Sequence, residues 1–216
     1  SVGGTASNRL FFVGVGVSDY GNPKLDLRYA HKDATDLAAA FERYSEQFDE
    51  VRTLTLTDSE ATREGILRKT RAFLNDASAS DTVVMALSGH GAYERTNLAT
   101  YYFLPYGVTD DLSASAVSFR DLEALLASVR ARRRLVFIDA CESGEIDPAV
   151  RARMIAAAKE QGLSARVSQA SGPGGQGNAR PFLYNRNRYI HNDVVRRSGI
   201  AVFSSSQGGE LSMESP

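Results

Sequence analysis

The stretch RRLVFIDACESGEID, residues 133–147, is the most informative part of this sequence for the fold. The apolar run at residues 135–138, which leads up to Asp139 and Ala140, is typical of a strand buried inside a parallel sheet. The only cysteine of the chain, Cys141, follows this run directly, and Gly144 comes shortly after it. A lone cysteine in such a position is most often a small core residue, so the stretch alone leaves open whether the thiol is structural or a nucleophile.

Similar apolar runs alternate with amphipathic segments along the rest of the chain. The predicted strands are residues 9–20, 50–58, 81–91, 100–107, 133–140 and 199–207, and the predicted helices are residues 31–44, 61–77 and 118–129. This alternation predicts an α/β domain with a largely parallel six-stranded sheet that is flanked by helices on both faces. In such sheets, ligands bind outside the carboxyl ends of the strands.

Length and composition restrict the class of protein. The chain has 216 residues, of which 43% are hydrophobic and 24% are charged, with a formal net charge of −1. This length suffices for one domain with a sizeable core, and the charge does not favour nucleic acid as a partner. No apolar run approaches the roughly 20 residues of a membrane span, and one cysteine excludes an intrachain disulfide. Residues 1–8 are expected to be a flexible leader, and the expected location is cytoplasmic.

Residues 148–198 differ in composition from the segments around them. Pro148 is typical of a first helical turn, and Gly162 of the end of that helix. The following stretch SQASGPGGQGNARP, residues 168–181, is too rich in Gly, Ser and Pro for a regular element. Residues 149–199 contain nine Lys and Arg but only two Asp and Glu. We therefore expect a basic, partly flexible linker between two strands of one sheet.

A candidate partner for the thiol is His90 in the stretch LSGHG, which also follows a predicted strand. Two parallel strands that end side by side would bring His90 and Cys141 together. A free thiol has a pKa of about 8.5, and a neighbouring imidazole lowers that pKa or accepts the proton, which makes the thiolate a nucleophile. Each residue alone has an ordinary structural interpretation, but the pair at two glycine-flanked strand ends predicts nucleophilic catalysis.

LSGHG, followed 51 residues later by DACESG, resembles the signature of caspase-like cysteine peptidases, clan CD, family C14. The resemblance is stronger to metacaspases and bacterial orthocaspases, which carry Asp-x-Cys-x-Ser-Gly where caspases carry Gln-Ala-Cys-x-Gly. It extends over residues 9–147, and GIAVFSSSQGGELSMES, residues 199–215, resembles the start of the small-subunit region. One departure is Lys32, which stands where metacaspases have an Asn before the residue equivalent to Asp33.

The resemblance implies a caspase-hemoglobinase-like fold and a division of the chain into regions. Residues 9–147 would be the large-subunit catalytic region, residues 148–198 a linker with a possible processing site, and residues 199–216 the beginning of a small-subunit region. Cys141 would be the nucleophile that forms a thioester, and His90 would protonate the leaving amine. The backbone N–H groups of Gly91 and Cys141 would bind the oxyanion, and Ser204, Ser205 and Ser206 would pair with the substrate backbone.

Substrate specificity is expected to depend on Asp139, which stands where caspases have a Gln. A carboxylate beside the pocket repels an acidic P1 residue and attracts a basic one. In metacaspases the residues matching Asp139, Asp33 and Ser88 line a pocket for Arg or Lys, so the resemblance implies the same here. Asp33 also has a structural interpretation, as a carboxylate in a first helical turn. Arg28 could reverse the prediction, because an arginine facing the pocket would favour Asp at P1.

Several further expectations follow from the resemblance. Self-cleavage is expected in the linker near Arg166, where LSARVSQAS offers a basic residue followed by small ones; the alternative is an uncut loop, or one that docks an acidic partner. No cofactor or metal is expected, with calcium at Asp110, Asp111 and Asp147 as the weaker alternative. His31 and His191 show no metal-ligand spacing and are expected at the surface.

The expected partners are protein substrates with exposed Arg or Lys, together with a possible regulatory protein or domain. The expected role is a bacterial stress, death or defence pathway. The alternatives are a caspase-like peptidase with Asp specificity, a caspase-like scaffold without proteolysis, and a thiol hydrolase of small molecules on a similar sheet.

Overall fold

The computed structural model describes residues 7–43, 45–94, 100–140 and 200–204. Within them the strands are β1 (Arg9–Gly16), β2 (Glu50–Thr57), β3 (Thr82–Gly89), β4 (Gly91–Glu94), β5 (Thr100–Phe103), β6 (Val117–Ser118), β7 (Arg133–Ala140) and β8 (Ile200–Ser204). The helices are α1 (Ala30–Arg43), α2 (Arg63–Leu74), α3 (Leu112–Ser115) and α4 (Phe119–Ala127). Strands and helices alternate as the sequence predicts, which confirms the α/β class.

The main sheet contains five described strands in the order β2-β1-β3-β7-β8, and all of its pairings are parallel. The predicted strand at residues 100–107 does not join this sheet. The part of it that forms a strand, β5, pairs antiparallel with β4 and β6 in a separate three-stranded sheet. A short apolar run carries no information about which sheet it enters, which explains this difference from the sequence-based expectation.

The two faces of the main sheet carry different helices. Side chains alternate along β1, so Phe11 and Val13 enter one core cluster while Leu10 and Phe12 enter the other. Helices α2 and α4 contribute to the first cluster, and α1 packs over the second, against β2, β1 and β3. Gly16 permits this packing, because a Cβ there would lie 2.2 Å from the carbonyl oxygen of Ala30. The close approach places the first turn of α1 beside the carboxyl end of β3.

Helix α4 begins with a capping box. The Ser118 side chain accepts a hydrogen bond from the Asp121 backbone, and the Asp121 carboxylate accepts one from the Ser118 backbone. The same carboxylate receives Arg63 of α2 at 3.1 Å. Capping therefore also ties two helices on one face of the sheet together.

One apolar expectation is wrong: β7, expected to be buried inside the sheet, is not buried on both faces. Leu37 of α1 is likewise 41% exposed. Among the described residues, α1 packs on β2, β1 and β3 but not on β7 and β8. The same face of β7 and β8 is therefore partly exposed. Phe137 of β7 and Phe203 of β8 stack there with ring centroids 5.2 Å apart, so each shields part of the other.

Candidate active site

The strand ends that precede the two motifs are neighbours, because β3 and β7 pair in parallel. Ser88 pairs with Asp139, and Gly89 pairs with Ala140. His90 is therefore the first residue beyond β3, and Cys141 is the first residue beyond β7. Cys141 lies outside the described residues, so its sulfur is not located, but the expected juxtaposition of the two strand ends is present.

The His90 imidazole has a defined orientation. Its Nε2 lies 2.9 Å from the backbone carbonyl oxygen of Leu25. A carbonyl oxygen only accepts hydrogen bonds, so Nε2 carries the proton in this contact. In the neutral ring, Nδ1 then holds the lone pair and is the basic atom. In this tautomer Nδ1 is the ring nitrogen that can accept a proton.

Tyr20 holds His90 from a second direction. Its hydroxyl oxygen accepts the His90 backbone N–H at 2.8 Å, and the two rings lie 5.1 Å apart at an angle of 36°. Sequence reasoning missed both Tyr20 and Leu25. The only signal was their position in the segment after β1, beyond the carboxyl edge of the sheet.

The segment from residue 17 to residue 29, here called the β1–α1 loop, is fixed by short-range and long-range hydrogen bonds. The Asp58 carboxylate, just after β2, accepts the backbone N–H groups of Ser18 and Asp19 at 2.8 and 2.9 Å. Asp26 accepts the backbone N–H of Tyr20 at 3.0 Å. These contacts make the β1–α1 loop a firm support for the two residues that touch His90.

Gly91, the proposed oxyanion residue, sits in a tight place. It begins β4, and a Cβ at this position would lie 2.2 Å from the Tyr101 hydroxyl. On the other side of the chain, the Leu104 backbone N–H donates to the His90 carbonyl at 2.9 Å. The backbone at residues 90 and 91 is thus packed closely against β5, and only glycine fits at 91.

The three residues expected in the specificity pocket lie together on the α1 face. Ser88 is 7% exposed, and its hydroxyl donates to the Asp33 carboxylate at 3.3 Å. Asp139 pairs with Ser88 in the neighbouring parallel strand, so their side chains lie on the same face, with strands about 4.8 Å apart. Asp139 is exposed although it stands at the end of an apolar strand, so its charge keeps contact with water. The local negative charge faces solvent, where a basic side chain can reach it.

The other predicted site residues are distributed as follows. Ser204 ends β8 one position beyond Phe203, while Ser205, Ser206, Arg166, Asp147 and His191 lie outside the described residues. Arg28 is exposed in the β1–α1 loop. His31 is also exposed, as expected, and its Nδ1 lies 2.8 Å from the Ser18 hydroxyl.

Asp111, considered for calcium, has a structural function. Its carboxylate caps α3 by accepting the Ala114 backbone N–H, and it also accepts the Ser113 hydroxyl at 2.7 Å. These hydrogen bonds, that of Ser113 first, lower the pKa of Asp111. In the described part of the chain no cluster of three His, Cys, Asp or Glu is arranged to hold a metal ion.

The sheet and the paired strand ends define the class of molecule: an α/β protein whose five described main-sheet strands are all parallel. The model of the caspase-domain family, Peptidase C14, matches residues 13–216, and the chain belongs to this family.

A structural relative agrees with the fold. The chain is similar to a crystal structure of a Geobacter sulfurreducens protein solved by structural genomics, with a TM-score of 0.56, 18% identity, and coverage of 94% of this chain and 75% of that one. No curated protein is significantly similar in sequence. None of the described helices has the length and apolar character that crossing a membrane requires.

Proposed function

We propose that the protein is a cysteine endopeptidase that cleaves polypeptides after basic residues, Arg before Lys. The observation that carries this proposal is the register of β3 and β7, since it brings the residue before His90 opposite the residue before Cys141. The His90 and Cys141 motifs resemble those of metacaspases and orthocaspases, and a bacterial stress, death or defence role is proposed on that resemblance alone.

The proposed chemistry has two stages. The Cys141 thiolate attacks the scissile carbonyl carbon, and the oxyanion is bound by the backbone N–H groups of Gly91 and Cys141. His90 donates a proton to the leaving amine as the C–N bond breaks, which leaves a thioester on Cys141. Water then attacks the thioester, with His90 accepting its proton, and the acid product and the thiolate are released.

Specificity for a basic P1 residue is supported by the charges near the strand ends. Asp33 and Asp139 lie on either side of Ser88 on one face of the sheet. Arg is preferred over Lys because its planar guanidinium can donate two hydrogen bonds to a carboxylate at once. Two carboxylates repel an Asp side chain in the same place, which disfavours the caspase-like alternative.

The test uses peptides that differ only in P1: Arg, Lys, citrulline and Asp. Citrulline has the shape of Arg without its charge, so we expect at least a 100-fold preference for Arg over citrulline in kcat/KM. Asp33→Asn and Asp139→Asn should each lower kcat/KM for Arg by about 30- to 1000-fold, the effect of removing one partner of a charge pair that the bound substrate shields from water. Asp36→Asn is the matched control, because Asp36 lies one turn along α1 and pairs with Lys32.

The outcomes separate the alternatives. Turnover of the Asp peptide alone would show a caspase-like specificity and refute the basic pocket. Turnover of no peptide by the wild type, with no reaction toward an Arg-directed covalent probe, would favour a scaffold. Activity that persists in Cys141→Ala would refute the nucleophile.

Self-cleavage near Arg166 is proposed as part of the same activity. The wild type should yield two fragments on incubation, and Cys141→Ala should stay intact. Arg166→Gln should remove the fragment boundary at that residue while peptide turnover is retained. Fragments that are identical in the wild type and Cys141→Ala would refute self-cleavage.

A further inference from the structure

We propose that Tyr20 is a positioning residue for His90: its hydroxyl fixes the His90 backbone, and so the imidazole, by accepting the His90 N–H. The inference rests on the proposed peptidase function. It concerns a residue outside both signature motifs, in the β1–α1 loop.

The local sequence does not hold His90 in place. It is the single residue between β3 and β4, and glycines precede and follow it. Gly89 has a φ of +153°, a backbone conformation that other residues rarely adopt. Because glycines flank His90 on both sides, the local backbone has several conformations of similar energy. Contacts from elsewhere in the fold must therefore select one of them.

Those contacts come mainly from one loop. The Tyr20 hydroxyl accepts the His90 N–H at 2.8 Å, the Leu25 carbonyl accepts from Nε2 at 2.9 Å, and the Tyr20 ring packs on the imidazole. The Leu104 N–H holds the carbonyl side of His90 at 2.9 Å. The Tyr20 contact thus acts on the backbone and the Leu25 contact on the ring, so together they fix both the place and the rotation of the imidazole.

Tyr20 is itself well held. It is 4% exposed, and its backbone N–H donates to the Asp26 carboxylate at 3.0 Å. A Tyr20→Phe substitution keeps the ring packing and removes the acceptor of the His90 N–H. The freed N–H then seeks another partner, and the histidine shifts with it. A displacement of about 1 Å at a reacting group can cost roughly 100-fold in rate.

The kinetic test compares Tyr20→Phe with Tyr106→Phe, using the P1 Arg peptide. Tyr106 is a matched control because its hydroxyl stands against Gly21 of the same loop. We expect Tyr20→Phe to lower kcat at least 10-fold with KM changed less than 3-fold, and Tyr106→Phe to behave as the wild type. Equal kcat for Tyr20→Phe and the wild type, or equal losses in both variants, would overturn the inference.

A second readout does not depend on turnover. In Cys141→Ala protein, adding Tyr20→Phe should shift the His90 amide and imidazole nitrogen resonances and speed His90 amide exchange at least 10-fold, while Leu104 exchange stays unchanged. Unshifted His90 resonances would overturn the positioning role even if kcat fell. If the wild type cleaves no peptide, the peptidase proposal fails, and these resonances still decide what Tyr20 does.

A milder pair of variants covers the case in which Tyr20→Phe does not fold. The Asp26 side chain is exposed, so its replacement is tolerated by the core. Asp26→Ala removes the acceptor of the Tyr20 N–H and should shift the His90 resonances and lower kcat 2- to 10-fold. Asp26→Asn keeps an acceptor and should restore both. The same values in both variants would contradict the inference.

Discussion

Asp81 offers a sharp stability prediction, because a buried carboxylate here holds the amino edge of the sheet together. Its side chain is fully buried and accepts hydrogen bonds from the Arg9 backbone and guanidinium, each at 2.9 Å. The Ser78 backbone and hydroxyl donate at 2.7 and 2.8 Å. Burial raises the pKa of Asp81, but hydrogen bonds from Arg9 and Ser78 outweigh it and hold that pKa well below its usual range.

The Asp81→Asn substitution keeps the shape of the side chain but removes the negative charge to which these four groups donate. Removing one partner of a buried ion pair typically costs 3–5 kcal/mol. We expect Asp81→Asn to lower the free energy of unfolding by about 3 kcal/mol, at the low end of this range. The reason is that Arg9 is 20% exposed and keeps its ion pair with Asp76 at 3.1 Å. Asp76→Asn is the matched control: that carboxylate is 63% exposed, so its loss should cost only about 0–1 kcal/mol.

The assay is urea unfolding in the Cys141→Ala background, which would prevent the proposed self-cleavage. The chain has no Trp and nine Tyr, so tyrosine fluorescence and far-UV circular dichroism are the two probes, and coincident curves support a two-state analysis. A lower midpoint with an unchanged slope gives the loss in free energy of unfolding. A loss below 1 kcal/mol, or one equal to that of Asp76→Asn, would refute the reasoning.

The pH dependence of the same variant has a definite sign. A carboxylate whose folded pKa lies below its unfolded value of about 3.9 stabilises the fold fully above that value. This stabilisation is lost as the pH falls through the folded pKa. The difference between the wild-type side chain and Asn should therefore be the same at pH 7 and pH 5, and smaller at pH 3. A difference that grows on acidification would contradict the assignment.

Three further substitutions test the site and its supports. Gly91→Ala should lower kcat/KM at least 100-fold, measured on the P1 Arg peptide, because its Cβ would meet the Tyr101 hydroxyl at 2.2 Å and displace the N–H that we propose binds the oxyanion. Ser118→Ala should lower the free energy of unfolding by about 1 kcal/mol in urea, whereas Ser118→Thr should not. Asp58 has a φ of +46°, which Asn tolerates, so Asp58→Asn should keep the β1–α1 loop in place and Asp58→Ala should lower kcat by loosening it.

The parts of the structure that sequence predicts well are those set by local chemistry. The alternation of apolar runs and amphipathic segments is a local pattern, and it predicted the helices and the strands of the main sheet. The capping box of Ser118 and Asp121 is visible as a spacing of three residues. The neighbouring strand ends at Gly89 and Ala140 followed from two similar motifs after two buried strands, together with the rule that such ends share one edge.

The contacts that position His90 could not be predicted in this way. Leu25 acts through its main-chain carbonyl, which every residue possesses, and it is 65 residues away from His90. Tyr20 acts through a hydroxyl 70 residues away, and nothing in its neighbourhood distinguishes it from a core tyrosine. The exposure of Leu37 and Phe137 likewise depends on which strands α1 covers, a tertiary property that helical periodicity does not contain.

The main sheet separates the groups proposed for specificity from those that hold His90. Ser88 lies on the α1 face, where it meets Asp33, whereas Tyr20 and Leu25 belong to the core cluster of the opposite face. The two sets approach each other at the carboxyl edge of the sheet, where Gly89 separates Ser88 from His90. Changes to the carboxylates should therefore alter P1 preference without moving the imidazole.

Asp33→Asn should leave the His90 amide and ring resonances unchanged, while Tyr20→Phe should shift them and leave the ratio of Arg to citrulline turnover unchanged. The two effects are expected to be independent because the backbone of β3 is hydrogen-bonded to strands on both sides. A side-chain change on one face of such a packed sheet therefore has little effect on the other face.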